Sequence, residues 1–302
     1  MAAGFYGMHQ IDIVVLGCCL LNLHKNDMSP LLSPTQLKEL CTTYHLTPSK
    51  KYGQNYLISD MPIKKMIEAG ELSPDDTVVE IGPGFGVLTL AMALHVKKVV
   101  AFEIEKKLEG YWEEKQLEFK NIQVIWGNAL KELETRNLEL GTSYKVLANL
   151  PYQITSNVIR TLLELGNKPE RIVIMVQKEV AERICAKAGD MSILAVSIQY
   201  YGTPKMVAKV TKGNFWPSPK VDSAVVSITN IQERADADTF FRYVRAGFHN
   251  KRKQLWRNLS VGLQIEGEKV KQTLQQVLGN EKIRAEELSV DDWIAVIARL
   301  EA

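Results

Sequence analysis

Asn149-Leu150-Pro151-Tyr152 sets a carboxamide, a stiff turn and an aromatic ring side by side, directly after the apolar run Lys145-Val146-Leu147-Ala148. Pro151 lacks the N–H that a central strand needs and pushes Leu150 to an extended conformation, so the strand is expected to end there. A carboxamide oxygen next to a backbone carbonyl makes a pair of acceptors suited to an exocyclic adenine amine. The lone pair of such an amine is delocalised into the ring, and hydrogen bonds donated by its N–H groups favour the pyramidal nitrogen and stabilise its developing positive charge. Asn149 and the Leu150 carbonyl have that chemistry, Pro151 holds them outward, and Tyr152 offers a face for an unstacked base. The tetrapeptide alone is equally compatible with an ordinary turn beside a core tyrosine.

A second constellation precedes it. The stretch VVEIGPGFGVLTLA places Glu80, Gly82, Gly84 and Gly86 between a strand-like and a helix-like run. Glycines let the backbone turn tightly and approach a ligand, and the helix that follows offers unpaired N–H groups. The next strand-like run, VVAFEI, carries Glu103, about 20 residues downstream, where a carboxylate can accept hydrogen bonds from ribose hydroxyls. The glycines run GxGxG with Pro83 inside, not GxGxxG, which favours S-adenosylmethionine over a dinucleotide. A further run, IQVIWG, leads to Asn128, placed to meet the adenine ring of that cofactor. Methyl transfer from a sulfonium leaves a neutral thioether, so proximity and alignment carry the rate and neither a metal nor a strong base is required.

The elements that must position these groups alternate. TVVEI, GVLTLAMAL, KVVAFEI, LEGYWEEKQLEF, IQVIWG, KVLAN, NVIRTLLELG, RIVIMV and QKEVAERICAKA read as strands and helices in turn, which predicts a mostly parallel sheet with helices on both faces. SAVVSITN, reached through Trp216-Pro217-Ser218-Pro219, reads as a last strand. From about Gln232 only helical periodicity remains, in TFFRYVRAGF, KRKQLWRNL, KVKQTLQQVL and VDDWIAVIARL. The expected organisation is therefore an extension over 1–28, a catalytic α/β domain over 29–231 and a smaller all-helical C-terminal domain over 232–302.

The 302 residues carry 37 Lys+Arg against 35 Asp+Glu, a net charge of +2, so distribution matters more than the sum. The segment FFRYVRAGFHNKRKQLWRNL concentrates Arg242, Arg245, Lys251, Arg252, Lys253 and Arg257 with aromatics between them, a pattern suited to RNA phosphates. Lys50 and Lys51 are a second candidate contact. Four cysteines without a CxxC pair and five scattered histidines predict a reduced, cytoplasmic protein without structural metal. The apolar stretch Ile11 to Leu23 is shorter than the roughly 20 residues of a spanning helix and is not preceded by Lys or Arg, so neither a membrane span nor a signal peptide is expected. Residues 1–28 are instead expected to be poorly ordered or spuriously included, with Met28 a candidate start.

In order from about Leu31 onward, GQNYL, EIGPGFG, FEIE, GNAL, NLPYQIT, VQKEVAERI, FWPSPKVDSAVV and FHNKRKQLWRNL resemble the KsgA-type small-subunit ribosomal RNA adenine N6-dimethyltransferases. The resemblance implies a Rossmann-like methyltransferase domain followed by a helical domain. It also implies dimethylation of two adjacent adenosines near the 3′ end of small-subunit (16S) rRNA within an immature subunit. Residue by residue it implies cofactor contacts at Asn55, Leu57, Gly82, Glu103, Asn128 and Asn149, and it makes Phe215 an aromatic that covers the adenine face opposite Tyr152. Two departures stand out: Asn128 replaces the usual Asp, and GDMSILAV stands where a Tyr-Gly-x-Leu-Ser-Val type segment is common. A monomer is expected, since nothing in the chain demands an oligomer. Competing readings are a large-subunit rRNA methyltransferase of the resistance type, a ribosome-assembly factor of the same fold with methylation secondary or lost, and, poorest, a nicotinamide oxidoreductase.

Overall fold

The computed structural model describes residues 31–47, 55–136, 140 and 143–302; the expected extension 1–28 and the pair Lys50 and Lys51 lie outside these residues. Helix α1 (Pro34–Thr43) begins at a reciprocal cap. The Gln36 N–H donates to Ser33 Oγ at 3.3 Å and the Ser33 N–H to Gln36 Oε1 at 2.9 Å, with Pro34 at the first helical position. A two-residue strand β1 (Tyr56–Leu57) and helix α2 (Asp60–Gly70) follow.

The alternation read from sequence then unfolds as β2 (Thr77–Ile81), α3 (Val87–Ala93), β3 (Lys98–Glu103), α4 (Glu109–Glu118), β4 (Ile122–Trp126), α5 (Ala129–Arg136), β5 (Lys145–Asn149), α6 (Thr155–Glu164) and β6 (Arg171–Gln177). Helices α7 (Lys178–Ile184) and α8 (Ile193–Tyr201) lead to β7 (Thr203–Val210), the short β8 (Phe215–Trp216) and β9 (Ser223–Thr229). Seven strands form one sheet in the order β4-β3-β2-β5-β6-β9-β7, parallel from β4 to β6, with β9 antiparallel to both β6 and β7. The fold is α/β and Rossmann-like, a mostly parallel sheet between layers of helices. Both faces are covered, so adjacent residues of one strand enter different cores: Val78 and Leu147 pack on one side, Val79 and Val146 on the other.

The register opens the sheet where a ligand can enter. Strands β2 and β5 pair only at Val78↔Lys145 and Val79↔Val146, whereas β2 stays paired with β3 as far as Ile81↔Phe102. Beyond Val79 the two strands diverge, and the carboxyl ends of β2 and β5 flank a crevice at the point where strand order reverses.

After Thr229 every labelled element is a helix: α9 (Ala237–Gly247), α10 (Leu255–Leu263), α11 (Gly267–Leu278) and α12 (Val290–Glu301). Their buried Tyr243, Leu259, Leu274 and Trp293 are continuous with the core on one face of the sheet. Tyr200 stacks on Phe240 at 3.9 Å between ring centres, which ties α8 to α9. The departing GDMSILAV segment is anchored across this junction, since the N–H groups of Gly189 and Met191 donate to the Glu286 carbonyl at 3.0 and 3.1 Å.

Several elements differ from or add to the sequence reading. Helices α2 and α8 and strands β1, β7 and β8 carry no signal strong enough to be singled out from sequence. Helix α10 starts at Leu255, so Lys251, Arg252 and Lys253 stand in the preceding loop. Asn258 holds that loop by donating from Nδ2 to the carbonyls of Gly247 and Asn250 at 2.6 and 3.0 Å. Among the described residues no helix is long and apolar enough to cross a membrane.

Candidate active site

The carboxyl edge of the sheet carries a cavity of ≈ 590 Å³, within the range of ordinary small-molecule sites. Its walls bring together Asn55, Leu57, Gly82, Gly84, Glu103, Asn128, Asn149, Leu150, Pro151 and Tyr152, which sequence reading had drawn from five separate stretches. Phe215 is placed elsewhere. It is 3% exposed, pairs with Leu57 in the β1–β8 ladder and does not line the cavity.

The glycine loop takes its shape from backbone conformations that favour glycine. Gly82, Gly84 and Gly86 have φ of 72°, 56° and 76°. A Cβ on Gly86 would stand 2.7 Å from Trp112 Cη2, so indole packing as well as φ demands glycine there. Trp112 Nε1 also donates to the Gly84 carbonyl at 3.0 Å and the Tyr111 hydroxyl to the Phe85 carbonyl at 2.8 Å, which pins the loop from behind.

Glu103 is 6% exposed and accepts three backbone N–H groups, from Gly84 at 3.0 Å and from Ile104 and Glu105 at 2.8 Å each. Burial pushes its carboxyl above the usual range, and these hydrogen bonds oppose the shift. The carboxylate thus ties the tip of β3 to the glycine loop.

Glu80, on β2, is a site residue whose role the sequence motif did not disclose. It is 2% exposed, and burial, together with the charge of Glu103, pushes its carboxyl up to about 8. The Thr89 hydroxyl beside it holds the shift back without reaching hydrogen-bond geometry: Glu80 Oε2 and Thr89 Oγ1 are both buried without a partner. Leaving a buried acceptor unpaired costs about 1–3 kcal/mol, and a partner entering this cavity would recover it. A cationic or hydrogen-bond-donating ligand fits that need. Ile104, 59% exposed at the wall next to Glu103, is a second residue missed, since an exposed isoleucine one position past a strand has no signature in sequence.

At β5 the chain turns as Pro151 requires. The Leu150 N–H still donates to the Met175 carbonyl at 3.3 Å, after which the Ile154 N–H closes a turn onto the Pro151 carbonyl at 3.2 Å. Asn149 Nδ2 donates to the Asn55 carbonyl at 3.3 Å. With the donor end of the carboxamide held there, its oxygen is the end available to the cavity. Asn55 reaches this position because β1 pairs antiparallel with β8, Tyr56↔Trp216 and Leu57↔Phe215. Tyr152 is half-buried, with its hydroxyl 2.8 Å from Ser223 Oγ.

Asn128 sits at the start of α5 with its side chain exposed at the cavity wall. Its Oδ1 accepts the Leu130 N–H at 3.0 Å, so the amide caps the helix and leaves Nδ2, a donor, for a ligand. An Asp would cap equally well and leave an acceptor.

A second concavity, of ≈ 650 Å³, lies between α9 and α10, with Arg242, Arg245, His249, Lys253 and Arg257 among its lining residues. Arg242, Arg245, Lys251, Arg252, Lys253 and Arg257 are all exposed. Arg242 is ion-paired to Glu301 at 2.9 Å, and the Arg257 guanidinium lies 5.1 Å from the centre of the Trp256 ring.

Residues 46–302 match the family described as ribosomal RNA adenine dimethylase. A protein named ribosomal RNA small subunit methyltransferase A from Dehalococcoides mccartyi is 42% identical over 262 residues, covering 85% of this chain and 90% of that protein. One of the same name from Fusobacterium nucleatum is 39% identical over 82% of this chain and 96% of its own length. Among solved structures, a dimethyladenosine transferase from Plasmodium falciparum aligns with a TM-score of 0.69 at 25% identity, covering 80% of this chain and 95% of that one. The 23S rRNA methyltransferase ErmE aligns with a TM-score of 0.67 at 25% identity, covering 82% of this chain and 100% of that one.

Proposed function

The chain belongs to the ribosomal RNA adenine dimethylase family, and from that premise we propose that it uses S-adenosylmethionine to dimethylate the N6 amines of two adjacent adenosines near the 3′ end of small-subunit rRNA. The observation that carries this reading is the orientation of Asn149, whose Nδ2 is held by the Asn55 carbonyl so that Oδ1 serves as the acceptor.

S-adenosylmethionine supplies the electrophilic methyl group when bound. Its adenosine half is assigned to Glu103, Asn128 and the apolar Ile104, its methionine half to Glu80 and the loop from Gly82 to Gly84, with Asn55 and Leu57 closing the cavity. The target amine donates to Asn149 Oδ1 and to the Leu150 carbonyl. Both acceptors favour a pyramidal nitrogen and stabilise the positive charge that grows as the new N–C bond forms. Tyr152 stacks on the flipped base. Phe215 is the proposed cover for the other face, a role that requires the β8 segment to bring its ring out of the core.

Arg242, Arg245, Lys251, Arg252, Lys253 and Arg257 bind rRNA phosphates in this reading, with Lys50 and Lys51 a second contact. Residues 232–302 then act as the RNA-binding helical part and 29–231 as the methyltransferase part. The chain works as a cytoplasmic monomer on a partly assembled small subunit.

The test is transfer of tritium from labelled S-adenosylmethionine to unmethylated small subunits, run beside large subunits, with labelled adenosines mapped by mass spectrometry. Dimethyladenosine in small-subunit rRNA, lost in Asn149→Ala, is the expected result. Small-subunit binding without transfer would replace the enzyme by an assembly factor, and label in large subunits alone would move the substrate.

A further inference from the structure

We propose that Ser223 is a positioning residue for the base-stacking ring, its hydroxyl fixing the tilt of Tyr152 over the cavity; the inference rests on the reading of Tyr152 as the stacking residue. The two hydroxyls are 2.8 Å apart although 71 residues separate them in the chain. Tyr152 follows the Pro151 turn, where Ile154 N–H and Thr155 Oγ1 both donate to the Pro151 carbonyl at 3.2 and 3.3 Å. Those bonds fix the backbone, but they leave the ring free to swing about its two side-chain torsions. A contact at the far end of the ring removes that freedom with the longest lever available.

Ser223 is a suitable anchor because the sheet holds it from both sides. It is 0% exposed and opens β9, where it is paired with Gln177 of β6 on one side and Val210 of β7 on the other. The preceding residue is held twice more: the Asp222 carbonyl accepts the Lys178 N–H at 2.9 Å and Asp222 Oδ1 accepts the Lys212 N–H at 2.9 Å. Ser223 does not line the cavity, so it touches neither cofactor nor base and acts only through Tyr152. Burial raises the tyrosine hydroxyl above its ordinary range, so it stays protonated near neutral pH and remains a hydrogen-bonding group.

The consequence is a geometric one for the reaction. Tyr152 stands three residues after Asn149, so a ring that tilts displaces the stacked base, and with it the amine, relative to the acceptors. Misplacement at the reacting atoms lowers the rate more than the affinity. Ser223→Ala removes the anchor without altering the backbone pairing of β9.

The experiment is a double-mutant cycle of Ser223→Ala, Tyr152→Phe and the double variant, reading kcat and KM on unmethylated small subunits, the calorimetric Kd for S-adenosylmethionine and the thermal midpoint. Ser223→Ala should lower kcat about three- to tenfold, the worth of one net hydrogen bond, with cofactor Kd unchanged within about twofold. The double variant should be no slower than Tyr152→Phe alone, because both single changes break the same bond. An undiminished kcat in Ser223→Ala, or losses that multiply in the double variant, would overturn the proposal. Tyr152→Ala separates the two readings. If it retains full kcat, stacking by Tyr152 is wrong and the positioning role falls with it; if it is inactive while Ser223→Ala is normal, only the positioning role is lost.

Discussion

Glu80→Gln should stabilise the protein at neutral pH and at the same time weaken its hold on the cofactor. Glu80 is 2% exposed, has an unpartnered Oε2 and has its carboxyl pushed from 4.5 up to about 8, first by burial and then by Glu103. In the unfolded chain it ionises near 4.5, whereas in the folded protein it keeps its proton until about pH 8. Below the unfolded value both states are protonated and the group has no effect. Between the two values the folded state binds more protons than the unfolded one, so stability falls as pH rises. Each pH unit costs about 1.4 kcal/mol, so the accumulated loss at pH 7 is about 3 kcal/mol. Gln is neutral throughout and removes that slope. At about 1.5–2 °C per kcal/mol for a chain of this size, the variant should melt roughly 5–6 °C above the parent at pH 7 and close to it at pH 4.5. The assay is thermal unfolding of both proteins from pH 4.5 to 8. Midpoints that stay parallel across that range would refute the reasoning, because they would mean that Glu80 ionises alike in both states. Cofactor binding supplies an independent check. A sulfonium or ammonium near Glu80 favours the carboxylate, so S-adenosylmethionine should release a proton from the parent near neutral pH, seen as a binding enthalpy that varies with buffer, and less from Glu80→Gln.

Asn128→Asp keeps the cap on α5 and turns the free end of the side chain from donor to acceptor; calorimetry should show S-adenosylmethionine binding roughly fivefold tighter, as expected when a charged acceptor meets an amine, with stability changed by less than about 0.5 kcal/mol. Gly86→Ala must hold an alanine at φ 76° with its Cβ 2.7 Å from Trp112 Cη2, so denaturant unfolding should report a loss of about 2–4 kcal/mol. Replacing Lys253 and Arg257 by Gln should weaken small-subunit binding and make the slope of log K against log salt shallower by about 0.7–0.9 for each lost phosphate contact, while kcat at saturating subunit stays unchanged.

The strand that stops at Asn149 was legible because Pro151 enforces it covalently, and the glycine loop because positive φ at Gly82, Gly84 and Gly86 selects their residue type. Periodicity likewise disclosed the α/β alternation and the late helices, because a face that must be buried repeats along the chain. Other features depend on segments far apart in sequence. Sequence allowed Asn149 to be an acceptor, but the Asn55 carbonyl that orients it lies 94 residues away and arrives through a two-residue ladder with too few positions to show a period. The same ladder draws Phe215 into the core, whereas the family resemblance implied a ring that covers the target base. Glu80 stood in a recognised motif, yet its protonation is set by burial and by Glu103, neither of which is a property of the motif. Residue types and local torsions thus determined which chemistry this protein can hold and where its strands end. Which atom each group presents, and in which charge state, was decided only by tertiary structure, because burial and hydrogen-bond partners come from contacts between distant parts of the chain.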